Sequence, residues 1–160
     1  MSSELTLSSQ NSVASTDQKE DTKQFVTMQI DGQLFGIPVF NVQDVLRPQN
    51  ITKTPLAPHE ILGSINLRGR IVTVVSMRRR LGLESPSNPE NYMQVVVEYN
   101  NELYSLIIDS VGEVLNLKMS DFESNPANLD SRWQNYSMGV YRLKDRLMVV
   151  LDIESILKFV

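Results

Sequence analysis

The side chains that could support catalysis or metal binding are few and dispersed. His59 is the only histidine and the chain contains no cysteine, which excludes a histidine metal cluster, a thiolate nucleophile and cysteine-ligated zinc. His59 lies in a proline-bounded turn without a nucleophile motif, so a surface or helix-start role is favoured over a Ser-His-Asp arrangement. The sequence also lacks a phosphate-binding glycine loop and a calcium-loop spacing. We therefore predict no catalytic, metal or cofactor site.

Two further groups of charged residues suggest chemistry at first sight. Asp109 and Glu113 are four residues apart, a spacing that could pair two carboxylates, but a solvated structural role is the favoured interpretation. Five of the fifteen basic residues fall within thirteen positions, namely Arg68, Arg70, Arg78, Arg79 and Arg80. A cluster of this kind can bind nucleic acid. The net charge of −4 and the lack of interleaved aromatic residues argue against that function, so we interpret the cluster as a solvated helix face plus a hairpin tip.

An internal repeat indicates how the chain is organised. Residues 62–81 align without gaps on residues 138–157, and residues 34–46 align on residues 103–115. Two segments repeated in the same order indicate two similar halves. We predict halves at about 24–83 and 92–160, joined by a Pro- and Ser-containing linker at 84–91.

Within each half the pattern predicts short strands, tight turns and short helices. The hairpin turns are expected at Asp31-Gly32, Arg68-Gly69, Asn100-Asn101 and Lys144-Asp145. Asn41 is expected to cap a short helix that carries Val42, Val45 and Leu46 on one face, with the equivalent segment of the second half following the same plan. A single helical turn is predicted at 59–62, a short helix at 77–81, and a final helix after Asp152. Many short strands with regular turns favour small β-barrels.

The composition excludes some classes of protein. With 41% hydrophobic and 21% charged residues, the chain is an ordinary soluble protein, and no apolar run approaches the ~20 residues that span a bilayer. Direct membrane insertion is therefore not expected. Residues 1–23 are rich in Ser and Thr and resemble neither a secretory signal nor a segment that could bury a core, so we predict a disordered tail. The lack of cysteine fits a reducing cytoplasm.

The segment from Gly63 to Val75 resembles the signature of the CheW family of chemotaxis coupling proteins, Gly-x-x-Asn-Leu-Arg-Gly-x-Ile-Val-x-Val-Val. The resemblance extends to Val42-Gln43-Asp44-Val45, where the family usually has Val-Gln-Glu-Ile, and to the segment from Gly139 to Asp152. It covers about residues 24–159. It implies an all-β fold of two similar small SH3-like β-barrels packed together, with a C-terminal helix.

The resemblance also implies a function and a set of partners. A member of this family would be a non-enzymatic chemotaxis adaptor that couples methyl-accepting chemotaxis receptors to the histidine kinase CheA, in the cytoplasm and recruited to membrane receptor arrays. The family's receptor-binding motif carries over to Val42, Asp44, Gly63 and Arg68. Asp44 is shorter than the usual Glu. Because the chain ends at its final helix, we expect a stand-alone coupler, serving either the flagellar kinase or a paralogue for pili or gliding.

Two other classes of protein stay open at this point. A barrel that binds nucleic acid would show steeply salt-dependent affinity. An unrecognised hydrolase would need a polar pocket around His59.

Overall fold

The computed structural model describes residues 21–85 and 88–160, and the fold is built from strands with three short helices. The strands are β1 (Thr22–Ile30), β2 (Gln33–Pro38), β3 (Val42–Leu46), β4 (Ile61–Leu67), β5 (Arg70–Ser76), β6 (Gln94–Tyr99), β7 (Glu102–Ile107), β8 (Ser110–Lys118), β9 (Phe122–Glu123), β10 (Ser137–Arg142) and β11 (Leu147–Leu151). The helices are α1 (Met77–Arg80), α2 (Ser131–Gln134) and α3 (Ile153–Leu157). Short 3-10 turns lie at Val39–Asn41, Pro89–Asn91 and Met119–Asp121.

The strands form two sheets. The five-stranded sheet has the order β3-β6-β7-β5-β4, and the six-stranded sheet has the order β8-β1-β2-β11-β10-β9. Strands β5 and β7 pair in parallel, as do β11 and β2, and the other pairs are antiparallel. The prediction of a mainly β fold built as two similar packed units is confirmed.

The two sheets do not follow the two halves of the sequence. The five-stranded sheet takes β3, β4 and β5 from the first half but the β6–β7 hairpin from the second, whereas the β1–β2 hairpin joins β8, β10 and β11 in the six-stranded sheet. The contiguous segments 24–83 and 92–160 therefore do not each form their own sheet. Each hairpin closes locally through its tight turn, so it can pair as a unit with the strands of the other half.

Three apolar cores explain why most strands read as almost continuous hydrophobic runs. One core lies on the five-stranded sheet and contains Leu46, Ile65, Val72, Val74, Val96 and Ile107. A second lies on the six-stranded sheet and contains Phe25, Leu34, Tyr141, Met148 and Val150. The largest core takes residues from both sheets, including Phe35, Val75, Val95 and Val149, together with Trp133 of α2. Successive residues of a strand point to opposite faces, so a strand lying between two cores buries both faces.

The predicted helix at 41–46 is wrong. Val42–Leu46 forms strand β3, which follows the 3-10 turn and pairs with β6, and the equivalent segment lies in β8. The register shifts between Val42 and Asp44. This bulge lets Val42 pack on the large core and Leu46 on the core of the five-stranded sheet, which produces apolar spacing that imitates a helix. The single turn predicted at 59–62 is also wrong in part, because β4 begins at Ile61.

The turns and the two helices that follow β5 and β11 are confirmed. Both residues of the turns at Asp31-Gly32, Arg68-Gly69 and Asn100-Asn101 have positive φ, as type I′ hairpin turns require. The predicted tail is too long at its C-terminal end, because Thr22 and Lys23 belong to β1 and pair with Lys118 and Leu117; residues 1–20 lie outside the described residues. Within residues 21–85 and 88–160, no helix is long and apolar enough to cross a membrane.

Candidate partner-binding surface

Asp44 and Arg68, which are distant in the sequence, form an ion pair. Arg68 Nη2 donates to Asp44 Oδ2 at 2.8 Å. Asp44 lies on β3 and Arg68 at the tip of the β4–β5 hairpin, so the pair connects the two strands at opposite edges of the five-stranded sheet. This contact requires the sheet to curl towards closure. The sequence motifs therefore meet at one place on the surface.

The two side chains of this ion pair differ in their exposure to solvent. The Arg68 side chain is 74% exposed, whereas the Asp44 side chain is 25% exposed. Asp44 Oδ1 also accepts a hydrogen bond from the backbone N–H of Val45 at 2.9 Å, which fixes the carboxylate. The guanidinium has five N–H donors in a rigid plane, and Asp44 receives one of them. Arg68 is thus held in place and still presents donors to solvent.

The local sequence around Arg68 builds a rigid hairpin tip. The side-chain oxygen of Asn66 accepts a hydrogen bond from the Gly69 N–H at 3.0 Å. Leu67 packs on the core of the five-stranded sheet. Arg68 itself has φ of +51°, which non-glycine residues adopt rarely and mainly in turns. Each residue of the Asn-Leu-Arg-Gly sequence therefore has a distinct structural role, and the long side chain of Arg68 is directed into solvent.

Gly63 lies on β4, the first strand of this hairpin, and is buried. Its φ is +148°, and a Cβ at this position would overlap the carbonyl oxygen of Thr52 and lie 2.8 Å from the carbonyl carbon. The close approach allows Thr52 and Ser64 to exchange two backbone hydrogen bonds, of 2.9 and 2.8 Å. Gly63 therefore has a packing role that requires no partner.

Val42 is half-buried and packs against the large core. It lies two positions before Asp44 on β3, with the bulge between them. The structure thus brings Asp44 and Arg68 together, places Val42 on the same edge strand, and leaves Gly63 beneath the 51–52 segment.

Sequence reasoning missed two exposed apolar side chains on the strands that carry this motif, one on β3 and one on β5. Val45 is 38% exposed and Ile71 is 70% exposed. Val45 was expected on the buried face of a helix, and only the strand assignment reveals its exposure. Ile71 lies in a run of apolar residues that otherwise turns inward, so the sequence contains no signal that it faces solvent.

The second half lacks an equivalent ion pair. The counterparts of Asp44 and Arg68 are Glu113 and Lys144, and no salt bridge connects them in the described part of the chain. The glycine is retained in its structural role: Gly139 has φ of +153°, and an added Cβ would lie 2.6 Å from the carbonyl oxygen of Glu123. The β9–β10 pairing of Glu123 with Val140 corresponds to the bridge between Thr52 and Ser64.

The helix part of the arginine cluster is not a solvated face, contrary to the sequence interpretation, whereas Arg68 at the hairpin tip is exposed, as predicted. Arg78 donates to both carboxylate oxygens of Asp109, through Nε at 2.9 Å and Nη2 at 2.6 Å. Arg80 is only 14% exposed; it donates to the carbonyl oxygens of Ile156 and Ser155 at 2.7 and 3.1 Å. These contacts leave little of either cation for a nucleic-acid phosphate.

Asp109 has a structural role rather than an acid–base role. Burial by itself would raise the pKa of Asp109, but the hydrogen bonds from Arg78 and from the Asp31 N–H, with the charge of Arg78, lower it below the ordinary value. A carboxylate held in its charged form by an arginine is a poor proton carrier at neutral pH. His59 is exposed, and the described residues contain no group of three or more His, Cys, Asp or Glu side chains that could hold a metal ion.

Comparison with known proteins identifies the family. The family model for the CheW-like domain matches residues 24–160. The chain belongs to the CheW-like family. The resemblance inferred from the Gly63–Val75 motif is thereby confirmed.

Curated relatives and a solved structure agree with this assignment. The chain is 29% identical over 142 residues to the chemotaxis protein CheW of Helicobacter pylori, covering 89% of this chain and 86% of the relative. It is 25% identical over 135 residues to the chemotaxis protein CheW of Klebsiella aerogenes, covering 84% and 81%. The crystal structure of scaffolding protein TtCheW from Thermoanaerobacter tengcongensis superimposes with a TM-score of 0.72 at 27% identity, covering 81% of this chain and 88% of that one. TtCheW therefore shares the overall fold seen here.

Proposed function

We propose that this chain is a non-enzymatic chemotaxis adaptor that couples methyl-accepting chemotaxis receptors to a CheA-type histidine kinase. The observation that carries the proposal is the match of the CheW-like domain to residues 24–160, because it covers nearly all of the described residues and includes the hairpin motif. The adaptor would work in the cytoplasm and be recruited to receptor arrays at the membrane.

We further propose that the receptor contacts the surface formed by Asp44 and Arg68, together with Val42 on the same edge strand. Interfaces gain most of their affinity from a few anchors, among which arginine is common, surrounded by apolar contacts that exclude water. Arg68 is exposed and already fixed by Asp44, so it loses less side-chain freedom on binding than an unrestrained arginine would. In this proposal Gly63 acts indirectly, by shaping β4.

The roles of the two charged residues should be separable by mutation. Arg68→Ala removes a contact to the partner, so receptor affinity should fall by about 1–3 kcal/mol, or roughly 5- to 150-fold. Asp44→Ala removes the restraint on Arg68 and should weaken the same interaction by about 0.5–1 kcal/mol. Neither change should alter folding stability by more than about 1 kcal/mol, because the pair is exposed.

The test is receptor-dependent kinase stimulation together with titration against a receptor fragment. The full chain should raise CheA autophosphorylation only when a cognate receptor is present and should show no ATP hydrolysis of its own. Lys144→Ala is the matched control, since Lys144 occupies the equivalent hairpin tip, and it should bind the receptor normally. Stimulation without receptor would refute the adaptor function; a folded Arg68→Ala variant that binds like wild type would refute the assigned surface.

A further inference from the structure

Two methionine side chains are exposed to solvent, and both line the same cavity. Met119 is 53% exposed and Met138 is 56% exposed. The other methionines of the described residues are partly or completely buried, namely Met28, Met77, Met93 and Met148. Methionine is usually an interior residue, so the exposure of two of them at one cavity needs an explanation.

The local backbone directs each of these two side chains outward. Met138 is the extra residue of a β-bulge on β10, where the register against β11 shifts between Ser137 and Gly139. A bulged residue has no partner opposite it on the next strand, and a bulge can turn its side chain away from the sheet. Met119 begins the 3-10 turn that joins β8 to β9, and its N–H donates to the carbonyl oxygen of Asp21. The exposure of both side chains therefore follows from the course of the backbone.

The cavity that the two methionines line has a volume of about 190 Å³ and a mainly apolar wall. Phe25, Phe122 and Tyr141 also line it, and Lys23 is the only charged residue of the lining. The rings of Phe25 and Phe122 pack against the ring of Tyr141, with centroids 5.3 and 5.4 Å apart. The methionines thus form the exposed part of a cavity whose interior part is aromatic.

The first half of the chain has the same bulge without the sulfur. The register of β4 against β5 shifts between Ile61 and Gly63, and Leu62 occupies the position of Met138 in the repeat. Leu62 is half-buried and packs on the core of the five-stranded sheet. An aliphatic side chain is therefore sufficient to build this bulge, and the architecture does not require an exposed thioether at Met138.

The reaction open to an exposed thioether is oxidation by a peroxide. The sulfur lone pair attacks one oxygen of hydrogen peroxide, and the S–O bond forms as the O–O bond breaks. The departing hydroxide takes the proton of the transferred hydroxyl group and becomes water, so the sulfur loses the two electrons that the peroxide gains. The chain contains no cysteine, so no thiol of the molecule competes for the oxidant. Since oxidation of sulfur follows its exposure, the reaction should select Met119 and Met138.

We propose that Met119 and Met138 form a reversible oxidation site that switches this surface between an apolar and a polar state. Oxidation converts an apolar side chain into a polar sulfoxide, so an apolar group of a partner would have to displace water from two sulfoxides before it could enter the cavity. The reverse reaction takes two thiols from an external reductase: they become a disulfide, the sulfoxide oxygen leaves as water, and the thioether is restored. The site does not depend on the adaptor function, because it is a property of the isolated chain.

The experiment treats the full chain with hydrogen peroxide and follows each methionine by peptide mass spectrometry. Met119 and Met138 should be oxidised at least about tenfold faster than the buried Met28, Met77 and Met148, because exposure controls access of the peroxide to the sulfur. Native hydrophobic-interaction chromatography should then show earlier elution of the oxidised chain. Methionine sulfoxide reductases A and B, which each reduce one sulfoxide epimer, should restore the original retention.

Three controls separate this site from a general effect of oxidation. The double variant Met119→Leu, Met138→Leu should keep its retention after peroxide treatment. Leu62→Met places a thioether at the equivalent, half-buried bulge, and the new sulfur should be oxidised several-fold more slowly than that of Met138. Urea unfolding of the oxidised wild-type chain should give the midpoint of the untreated chain, since the two side chains lie outside the apolar cores.

Several results would overturn the proposal. One is oxidation of the buried methionines, or of the Leu62→Met sulfur, at the rate of the exposed pair. Another is a pair that stays reduced while N-acetylmethionine amide in the same solution is consumed. A retention that does not change, or that the reductases do not restore, would exclude the switch. A lowered midpoint in urea would show that oxidation damages the fold instead of altering one surface.

Discussion

Replacing Gly63 with alanine tests whether this residue is a partner contact or a structural requirement. The new Cβ would overlap the Thr52 carbonyl oxygen and lie 2.9 Å from Ile51 Cγ2, and backbone atoms cannot move away without breaking the bridge between Thr52 and Ser64. Loss of the two hydrogen bonds in that bridge costs about 1 kcal/mol each. A non-glycine residue at φ of +148° adds about 1–3 kcal/mol of strain. The expected loss of stability is therefore about 3–5 kcal/mol.

This loss should be measured by urea unfolding, using the fluorescence of Trp133, the only tryptophan. Trp133 is buried in the large core and its ring meets Phe35 edge-on at 5.3 Å, so its emission reports on the packing of the two sheets. Gly82→Ala is the matched control. Gly82 also has a positive φ, +77°, which is close to the +79° of Gly32. No atom lies within 4 Å of a Cβ added at Gly82. The control should lose only about 1 kcal/mol.

The comparison of the two variants decides between the interpretations. If Gly63→Ala is no less stable than Gly82→Ala, the close approach of Thr52 contributes nothing and the structural explanation is refuted. If Gly63→Ala stays folded and stable yet loses receptor binding, then Gly63 acts at the interface itself. We expect instead that any loss of binding will follow the loss of folded protein.

Three further changes probe single contacts. Asp109→Asn should lower the stability of the fold at neutral pH and flatten the dependence of stability on acid. The pKa of Asp109 is lowered in the fold, so the stabilisation it provides is complete above the ordinary carboxyl pKa of 3.8 and disappears as pH falls through the folded value. Urea unfolding from pH 7 to pH 2 would measure this change, and equal acid slopes for the variant and the wild type would contradict it. Arg80→Met should cost about 3 kcal/mol, since two hydrogen bonds from a charged donor to Ile156 and Ser155 are lost; a midpoint in urea equal to wild type would show that these contacts are not stabilising. Leu56→Gly should stabilise the fold by about 0.5–1 kcal/mol. Leu56 is fully exposed and has φ of +61°, so relief of about 1–2 kcal/mol of backbone strain exceeds the entropic cost of glycine. A thermal midpoint below that of the wild type would refute this prediction.

The sequence predicts the turns and the fold class well because those features depend on local chemistry. Asp31-Gly32 adopts positive φ at both positions, as Asp-Gly pairs favour in hairpin turns, and at Arg68-Gly69 the glycine provides one of the two positive-φ residues without strain. The strand β3 was mistaken for a helix for an equally physical reason. Its bulge places Val42 and Leu46 in two different cores, and a one-dimensional pattern cannot distinguish one buried face from two.

The exchange of hairpins between the halves could not be predicted from the repeat. The strands that receive each hairpin are similar in the two halves, so both pairings satisfy the same hydrophobic pattern. The contacts of Arg78 and Arg80 were missed because they are long-range. Asp109 and Ile156 lie 31 and 76 positions further along the chain, and the cluster of arginines gives no sign of which of them is enclosed by the fold.

The duplicated architecture also separates structural from functional residues around the proposed receptor surface. Gly63 and Gly139 occur at the same position in the two copies and have the same structural role. Each allows the backbone of a neighbouring segment to pack closely against the edge of a hairpin. A feature that both sheets need for packing says nothing about a partner that only one sheet binds. Arg68 and Asp44 differ in this respect, because their counterparts Lys144 and Glu113 form no ion pair with each other in the described part of the chain. The difference between the copies, rather than their likeness, therefore supports the assignment of receptor binding to the five-stranded sheet.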